Sequence, residues 1–523
     1  MRALRFGLAL AAFVVALGVA PAAAAEPPWV QHVQNYDGGI SNGVRARVDP
    51  AVAAAKALLT GAFLAPPVTL SNVQMNADSD PPLPQDEPSV AYKPSNPMVA
   101  VAAANDYTGD GYWIGRTIDG GRSWSSTFKD PLTSVGTRCF GSDPSVVYSI
   151  RDAAFYLSTL CYFVNGESEV QVWASTNDGA TWTPSSKAAV AITNRTADGS
   201  YDTSVFYDKE LLAVDNNAQS AHYGRLYMTF IKFHLIPNGR SDYCPVQLAF
   251  TDRIPKSNPA STKWTNVAVV PDAPFANTGP SANQWALPVV DDTGALDVAY
   301  ALEDCNTAYD RAFFFTRSTD GGLSFSGPVQ IDKPGQFADN TNRKDRLPSK
   351  AFRAPISPSL VFNPLTKALD FAYQNNINAN SSGADISFQR STSYGATWSD
   401  AKTISITDTG APAPNDQYFP WLAVDEAGGL HAVWYDNRND PHNHLMETFQ
   451  AFSPDDGATW SNFDISSTAW EPNDSFFNCG CFIGDYNALA ASTSVVYPVW
   501  SDGRNSPGKP LGETDIFTNV EIR

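Results

Sequence analysis

Two six-residue stretches repeat one chemical arrangement. Trp434-Tyr435-Asp436-Asn437-Arg438-Asn439 and Trp500-Ser501-Asp502-Gly503-Arg504-Asn505 each place a carboxylate two residues before a guanidinium. Such a pair either braces its own loop, with Asp capping the turn and Arg gripping it, or presents the guanidinium to an acidic ligand. Other polar residues with chemical potential recur at similar places. Asn105-Asp106, Glu303-Asp304 and Gln374-Asn375 end apolar runs. Asp86-Glu87, Asp143, Asp208, Gln284, Arg353, Asp416 with Tyr418, and Asp485-Tyr486 precede apolar runs. From this set Asp106, Glu303, Tyr418 and Asp436 are the candidates for acid–base or nucleophilic work. Arg353, Arg438 and Arg504 are the candidates for orienting an acidic group or screening the carboxylates. The acidic set also suits Ca²⁺, a hard cation that prefers oxygen donors. The chain contains no EF-hand loop, no His-Glu-x-x-His and no nucleotide motif, so no cofactor is required by any motif. His442 and His444 have a spacing that metal ligands can use and that polar loops use more often.

These residues are placed by a repeat. Apolar first strands begin near Glu87, Asp143, Glu210, Ala286, Ser357, Phe419 and Asp485, which makes seven copies. A second pattern follows five of them: Thr117–Trp124, Ser175–Trp182, Ser318–Phe325, Ser391–Trp398 and Ser453–Trp460. Its consensus is Ser/Thr-x-Asp-x-Gly-x-Ser/Thr-Trp/Phe. Each copy has turn chemistry. The Gly supplies positive φ, and Asp119, Asn177, Asp320 or Asp455 accepts backbone N–H groups across the turn. Ser393 stands where the fourth copy would have its acid, so a shared catalytic role is excluded. After the third first strand, Leu248–Asp252 and Thr262–Thr265 read as a box with a lengthened turn.

This pattern resembles the Asp box, or bacterial neuraminidase repeat, of sialidase-like β-propellers. The resemblance covers about residues 66–523 and implies an all-β propeller with four-stranded blades. The count of first strands gives seven blades. Six is the alternative, because sialidases have six. The last repeat has only Val496–Trp500 and Asp515–Ile522 after its first strand. Its outer strand is therefore expected from the N-terminal side, at Val68–Val73, which would leave no open sheet edge. The resemblance further implies an exo-acting glycoside hydrolase with a Tyr nucleophile, an acid–base Asp and three Arg holding a sugar carboxylate. The family opens with Phe-Arg-Ile-Pro ahead of its first blade, where this chain has Gln85-Asp86-Glu87-Pro88. The nearest matches are Phe352-Arg353-Ala354-Pro355, in the fifth repeat, and Asp252-Arg253-Ile254-Pro255, in a loop of the third. The arginine triad is thus not established by the sequence. A carboxylate-pair glycosidase for neutral sugars, a Ca²⁺-stabilised extracellular binding propeller and a polysaccharide lyase remain open as alternatives.

The chain starts with Met1–Arg5, an apolar run from Phe6 to Val19 and small residues up to Ala25. That is the pattern of a secretory signal peptide cut near Ala25, and the protein is expected to be secreted or periplasmic. Residues 26–65 form an extension in which Asp49 and Pro50 open a short helix toward Leu59. Its Leu58, Leu59, Phe63 and Leu64 favour packing on the propeller. The net charge of −19 argues against nucleic acid and anionic membranes as partners. An extracellular glycan or polysaccharide is the expected partner, and a monomer the expected state. In an oxidising compartment the six Cys favour disulfides. Cys139–Cys161 and Cys244–Cys305 are expected as links between neighbouring repeats, with Cys479 and Cys481 as a small ring.

Overall fold

A computed structural model of the chain describes residues 26–36, 38–56, 63–64, 72–79, 82–270, 284–335, 347–348, 350–375, 383–474, 482–506 and 512–522. Seven antiparallel sheets of four or five strands follow one another around a ring. Blade 1 runs Gln85–Lys93, Asn96–Asp106, Tyr112–Thr117 and Ser125–Lys129. Blade 7 takes Ala488–Ala491, Val495–Asp502 and Asp515–Asn519 from the C-terminal end and Asn72–Gln74 from the N-terminal side. Asn72 pairs with Asn519 and Gln74 with Phe517, so the ring is closed by the strand expected there. The pairing uses residues 72–74; most of the expected Val68–Val73 segment lies outside the described residues. The architecture is the propeller implied by the sialidase-like resemblance, with seven blades rather than six.

The recurrent Pro-Ser-Val and Pro-Ser-Leu of the first strands stitch the blades together. Val146 N–H donates to Ser89 Oγ at 2.9 Å, Leu212 N–H to Ser145 Oγ at 3.1 Å, and Leu422 N–H to Ser359 Oγ at 2.9 Å. Each bond satisfies an inner-edge amide that its own sheet leaves unpaired.

The boxes behave as turns. Asp119 Oδ1 accepts Ser123 N–H at 3.0 Å, Asp320 Oδ1 accepts Ser324 N–H at 2.9 Å, and Asp455 Oδ1 accepts Thr459 N–H at 2.8 Å. In the second and fourth copies Asn177 Oδ1 and Ser393 Oγ do the same at 2.9 Å. The Ser324 hydroxyl, with other turn donors, pulls Asp320 down to about 2. In the third blade Val246–Thr251 and Thr265–Ala268 pair across the lengthened turn.

The extension forms a strap of three helices, α1 (Pro28–Asn35), α2 (Asn42–Ala46) and α3 (Pro50–Lys56). The last matches the expected helix; the first two are too short for periodicity to reveal. Trp29 anchors the strap, with Tyr162 and Phe206 each 5.4 Å away between ring centroids. Arg47 donates to the carbonyls of Asp106 and Gly141 at 2.8 Å and lies over the Tyr107 ring. The strap therefore covers the face opposite the boxes. Cys139–Cys161 and Cys244–Cys305 are bonded. The first ties the connection ahead of blade 2 to that blade's second strand; the second joins blades 3 and 4. Cys479 and Cys481, and residues 1–25, lie outside the described residues.

Candidate functional site at the axial mouth

Five first strands open with a bulky residue at positive φ: Glu87, Asp143, Lys209, Trp285 and Phe419, all between 53° and 58°. Such backbone costs about 1–3 kcal/mol at a non-glycine residue and persists where the fold over-determines it. In blades 1, 3, 4 and 6 a register shift accompanies it. Both features re-aim side chains at the start of the strand.

The outcome is a buried acidic group. It holds Asp86, Glu87, Asp143, Asp208, Glu210 and Asp485, with Lys209 and Arg353 as cations. All are at most 5% exposed. Lys209 Nζ lies 2.9 Å and Arg353 Nη2 3.1 Å from Asp485 Oδ2. Asn105 ties three of the acids together. Its Nδ2 donates to Glu87 Oε2 at 2.7 Å and Asp86 Oδ1 at 3.1 Å, and its Oδ1 accepts Asp143 N–H at 2.8 Å. Burial pushes Asp86 and Asp208 up to about 7, and Glu87 and Glu210 well above the usual carboxylate range. Both oxygens of Asp143 and of Glu210 are buried without a hydrogen-bond partner. Along the same first strands lies a cavity of about 160 Å³, lined among others by Pro88, Pro144, Leu212, Leu360, Trp421 and Tyr486.

Of the residues singled out in the sequence, Arg353 belongs to this group. Asp436 and Arg438 bind each other, with Arg438 Nη2 2.6 Å from Asp436 Oδ2 and Trp434 Nε1 donating to the same oxygen at 2.8 Å. Asp502 repeats the set with Arg504 Nη2 at 2.7 Å and Trp500 Nε1 at 2.9 Å. Asp106 caps its own turn, accepting from Thr108 N–H at 2.9 Å and Thr108 Oγ1 at 2.6 Å. Glu303 is buried opposite Asp310 at the end of blade 4's second strand. Tyr418 is buried among Phe352, Phe419 and Tyr435; its hydroxyl, pushed well up by burial, donates to Met446 Sδ at 2.9 Å.

The acids at the axis, except Glu210, stood in the sequence set but without emphasis. Their available signal was position: Glu87 and Asp143 each directly precede a Pro-Ser-Val. Nothing in the sequence announced that a positive φ at these two residues would re-aim the strand starts. Among the described residues no three of His, Cys, Asp and Glu form a group that could hold a metal ion. His444 lies 3.6 Å from Glu471, and the backbone N–H groups of His442 and His444 donate to Asp440.

No protein-family model and no curated protein matches the chain. Solved structures do. A Hadza microbial sialidase is 12% identical over 81% of this chain and 73% of its own, with a TM-score of 0.43. An α-L-arabinanase of Penicillium chrysogenum, complexed with arabinobiose, is 11% identical over 87% and 99%, also at 0.43. The Trypanosoma rangeli sialidase is 14% identical over 75% and 57%, at 0.40. At this level the likeness carries no argument about this chain's chemistry.

Proposed function

We propose that the protein is an exported glycoside hydrolase that cleaves an extracellular glycan at the axial mouth. The supporting observation is the mixed state of the axial acids. Asp86 and Asp208 are held up to about 7 by burial, while Asp485 is ion-paired to Lys209 and Arg353. Glycosidic cleavage uses that combination: an acid to protonate the departing oxygen, and a carboxylate to activate water or attack carbon. Asp143, with both oxygens buried and lacking a protein donor, has acceptor capacity that a sugar hydroxyl or water would use in this reading. Arg353 keeps a role in this group. Asp106 and Asp436, with Arg438 and Arg504, are assigned to support of the surrounding loops and Tyr418 to the aromatic packing beside Met446, while Glu303 stays a candidate acid of blade 4. Export is proposed from the leader-like start and the two disulfides.

The test is a panel of aryl glycosides and polysaccharides offered to the purified protein and to its Asp143→Asn and Asp485→Asn variants. Reducing sugar released by the parent and lost in both variants, at unchanged fold, supports hydrolysis at this place. Glycan binding without turnover would make the chain a binding propeller, and an unsaturated, ultraviolet-absorbing product would make it a lyase.

A further inference from the structure

The strap touches the axial acids at one point that bears on proton chemistry. Ser41 is fully buried, and its backbone N–H donates to Asp208 Oδ2 at 2.8 Å. The other oxygen, Asp208 Oδ1, is buried and meets no donor. The amide is held from both sides. Gln284 Nε2 donates to Gly39 O at 2.9 Å, and Ser41 Oγ caps α2 by accepting Gly43 N–H at 3.0 Å. Beyond it, Gly43 approaches so closely that a β-carbon there would lie 3.0 Å from Glu87 Oε2.

We infer that Ser41 makes Asp208 the proton donor of the axial site, by engaging Oδ2 and leaving the acidic proton to Oδ1. This rests on the proposed glycosidase function. A carboxyl whose one oxygen accepts from a fixed N–H carries its proton on the other. Asp86, the other buried acid held near neutrality, differs. Asn105 Nδ2 and Tyr107 OH donate to its Oδ1, and Tyr107 OH also reaches its Oδ2 at 3.5 Å. Its Oδ2 faces the Tyr107 oxygen, which accepts a proton carried there, so Asp86 presents its proton to Tyr107. In the cleavage step the Oδ1 proton passes to the glycosidic oxygen as the carbon–oxygen bond breaks. The bonding pair stays on that oxygen, which leaves as an alcohol. Asp208 is left as a carboxylate and recovers its proton from the water whose hydroxyl is added to the sugar carbon. Ser41 is a positioning residue in this scheme. The charged and titratable groups facing Asp208 are Asp143, Lys209, Glu210, Arg353 and Tyr162.

Ser41→Pro removes the N–H at a backbone of φ −54° and ψ 145°, which proline adopts. Ser41→Ala loses the cap hydroxyl but keeps the N–H. An N–H bond to a carboxylate favours its charged form, so its loss raises the Asp208 pKa. The alkaline limb of kcat/KM is therefore expected to move to higher pH in Ser41→Pro and to stay in place in Ser41→Ala. Asp208→Asn should lose at least about 100-fold on alkyl glycosides but under about 10-fold on dinitrophenyl glycosides, whose leaving group needs no proton. A readout without turnover is Tm against pH, which should fall more steeply from about pH 5 to about 8 in Ser41→Pro than in Ser41→Ala. Coincident Tm curves for the two Ser41 variants, or equal losses by Asp208→Asn on both glycoside classes, would overturn the inference. Separate Tm curves in a protein that turns over no glycoside would remove the glycosidase, and the donor role with it, while leaving the Ser41–Asp208 contact in place.

Discussion

Asp436 and Asp502 each bind the Trp two positions before and the Arg two positions after, and these contacts engage both groups of the echoed pair. Arg438 also donates to Ile406 O at 2.9 Å and lies over the Phe449 ring, while Arg504 donates to Ser467 Oγ at 2.8 Å and lies over Phe517. Asp106 and Asp304 show the same local habit, each accepting the N–H two residues on. An Asp at the end of a second strand is thus a turn cap in four blades, whatever else the loop carries. Arg438→Ala or Arg504→Ala leaves a buried carboxylate without its cation and should cost about 2–4 kcal/mol of stability. Turnover per folded molecule should be unchanged, as measured by urea unfolding beside steady-state rates. An unchanged Tm with turnover abolished would place these guanidiniums on the substrate instead. The echo was legible in the sequence; its partners were not, because Ile406, Ser467 and the two Phe rings come from elsewhere in the chain.

Turns and strands were the most legible elements, because their chemistry is local. Each box supplies its own donors and acceptor within eight residues, so the pattern specifies the hairpin without help from the ring. Asp320→Ala should cost about 0.5–1.5 kcal/mol, the low end expected for an exposed cap. Ser393→Asp, which restores the acid in the fourth copy, should gain up to about 1 kcal/mol. If Asp320→Ala instead abolished activity without lowering Tm, the boxes would be functional rather than structural. The strap was the least legible element. α1 and α2 span 8 and 5 residues, too little for hydrophobic periodicity to declare itself. Its anchor is one aromatic: Trp29 is 1% exposed, with Nε1 donating to Phe163 O at 3.3 Å. Trp29→Ala should cost about 3–5 kcal/mol and open the strap to limited proteolysis near Arg47. A strap that stays protease-resistant in that variant would be held by its polar contacts, Arg47 on its carbonyls, His32 on Gly239 O and Ser41 on Asp208.

At the scale of the whole molecule, the sequence shows seven units and a missing outer strand, and ring closure follows because an open propeller would expose two sheet edges. What closure does at the axis was not legible. Seven first strands converge there, and those of blades 1, 2, 3 and 7 bury acids side by side, so the protonation of each depends on acids far away in sequence. That convergence sets the pH dependence of the fold. Burial raises Asp86, Asp208 and, on the second strand of blade 5, Asp370 to about 7 in the folded protein. A carboxyl raised above its unfolded value contributes stability that is fully present below about pH 4 and is lost as pH rises through about 7. Asp320 has the opposite sign: held down to about 2 by its turn, it contributes above about pH 4 and loses its contribution as pH falls toward 2. Tm should therefore peak at about pH 4 and decline from there toward about pH 8. Asp86→Asn with Asp208→Asn should flatten the alkaline decline, because amides have no proton to lose there, and Asp320→Ala should flatten the acid one. Calorimetry from about pH 3 to about 9 reads both limbs. A Tm that is level or rising from about pH 5 to about 8 would mean that the axial acids are hydrated and ionised in solution, and that the ring does not keep the dry acidic centre on which the proposed chemistry depends.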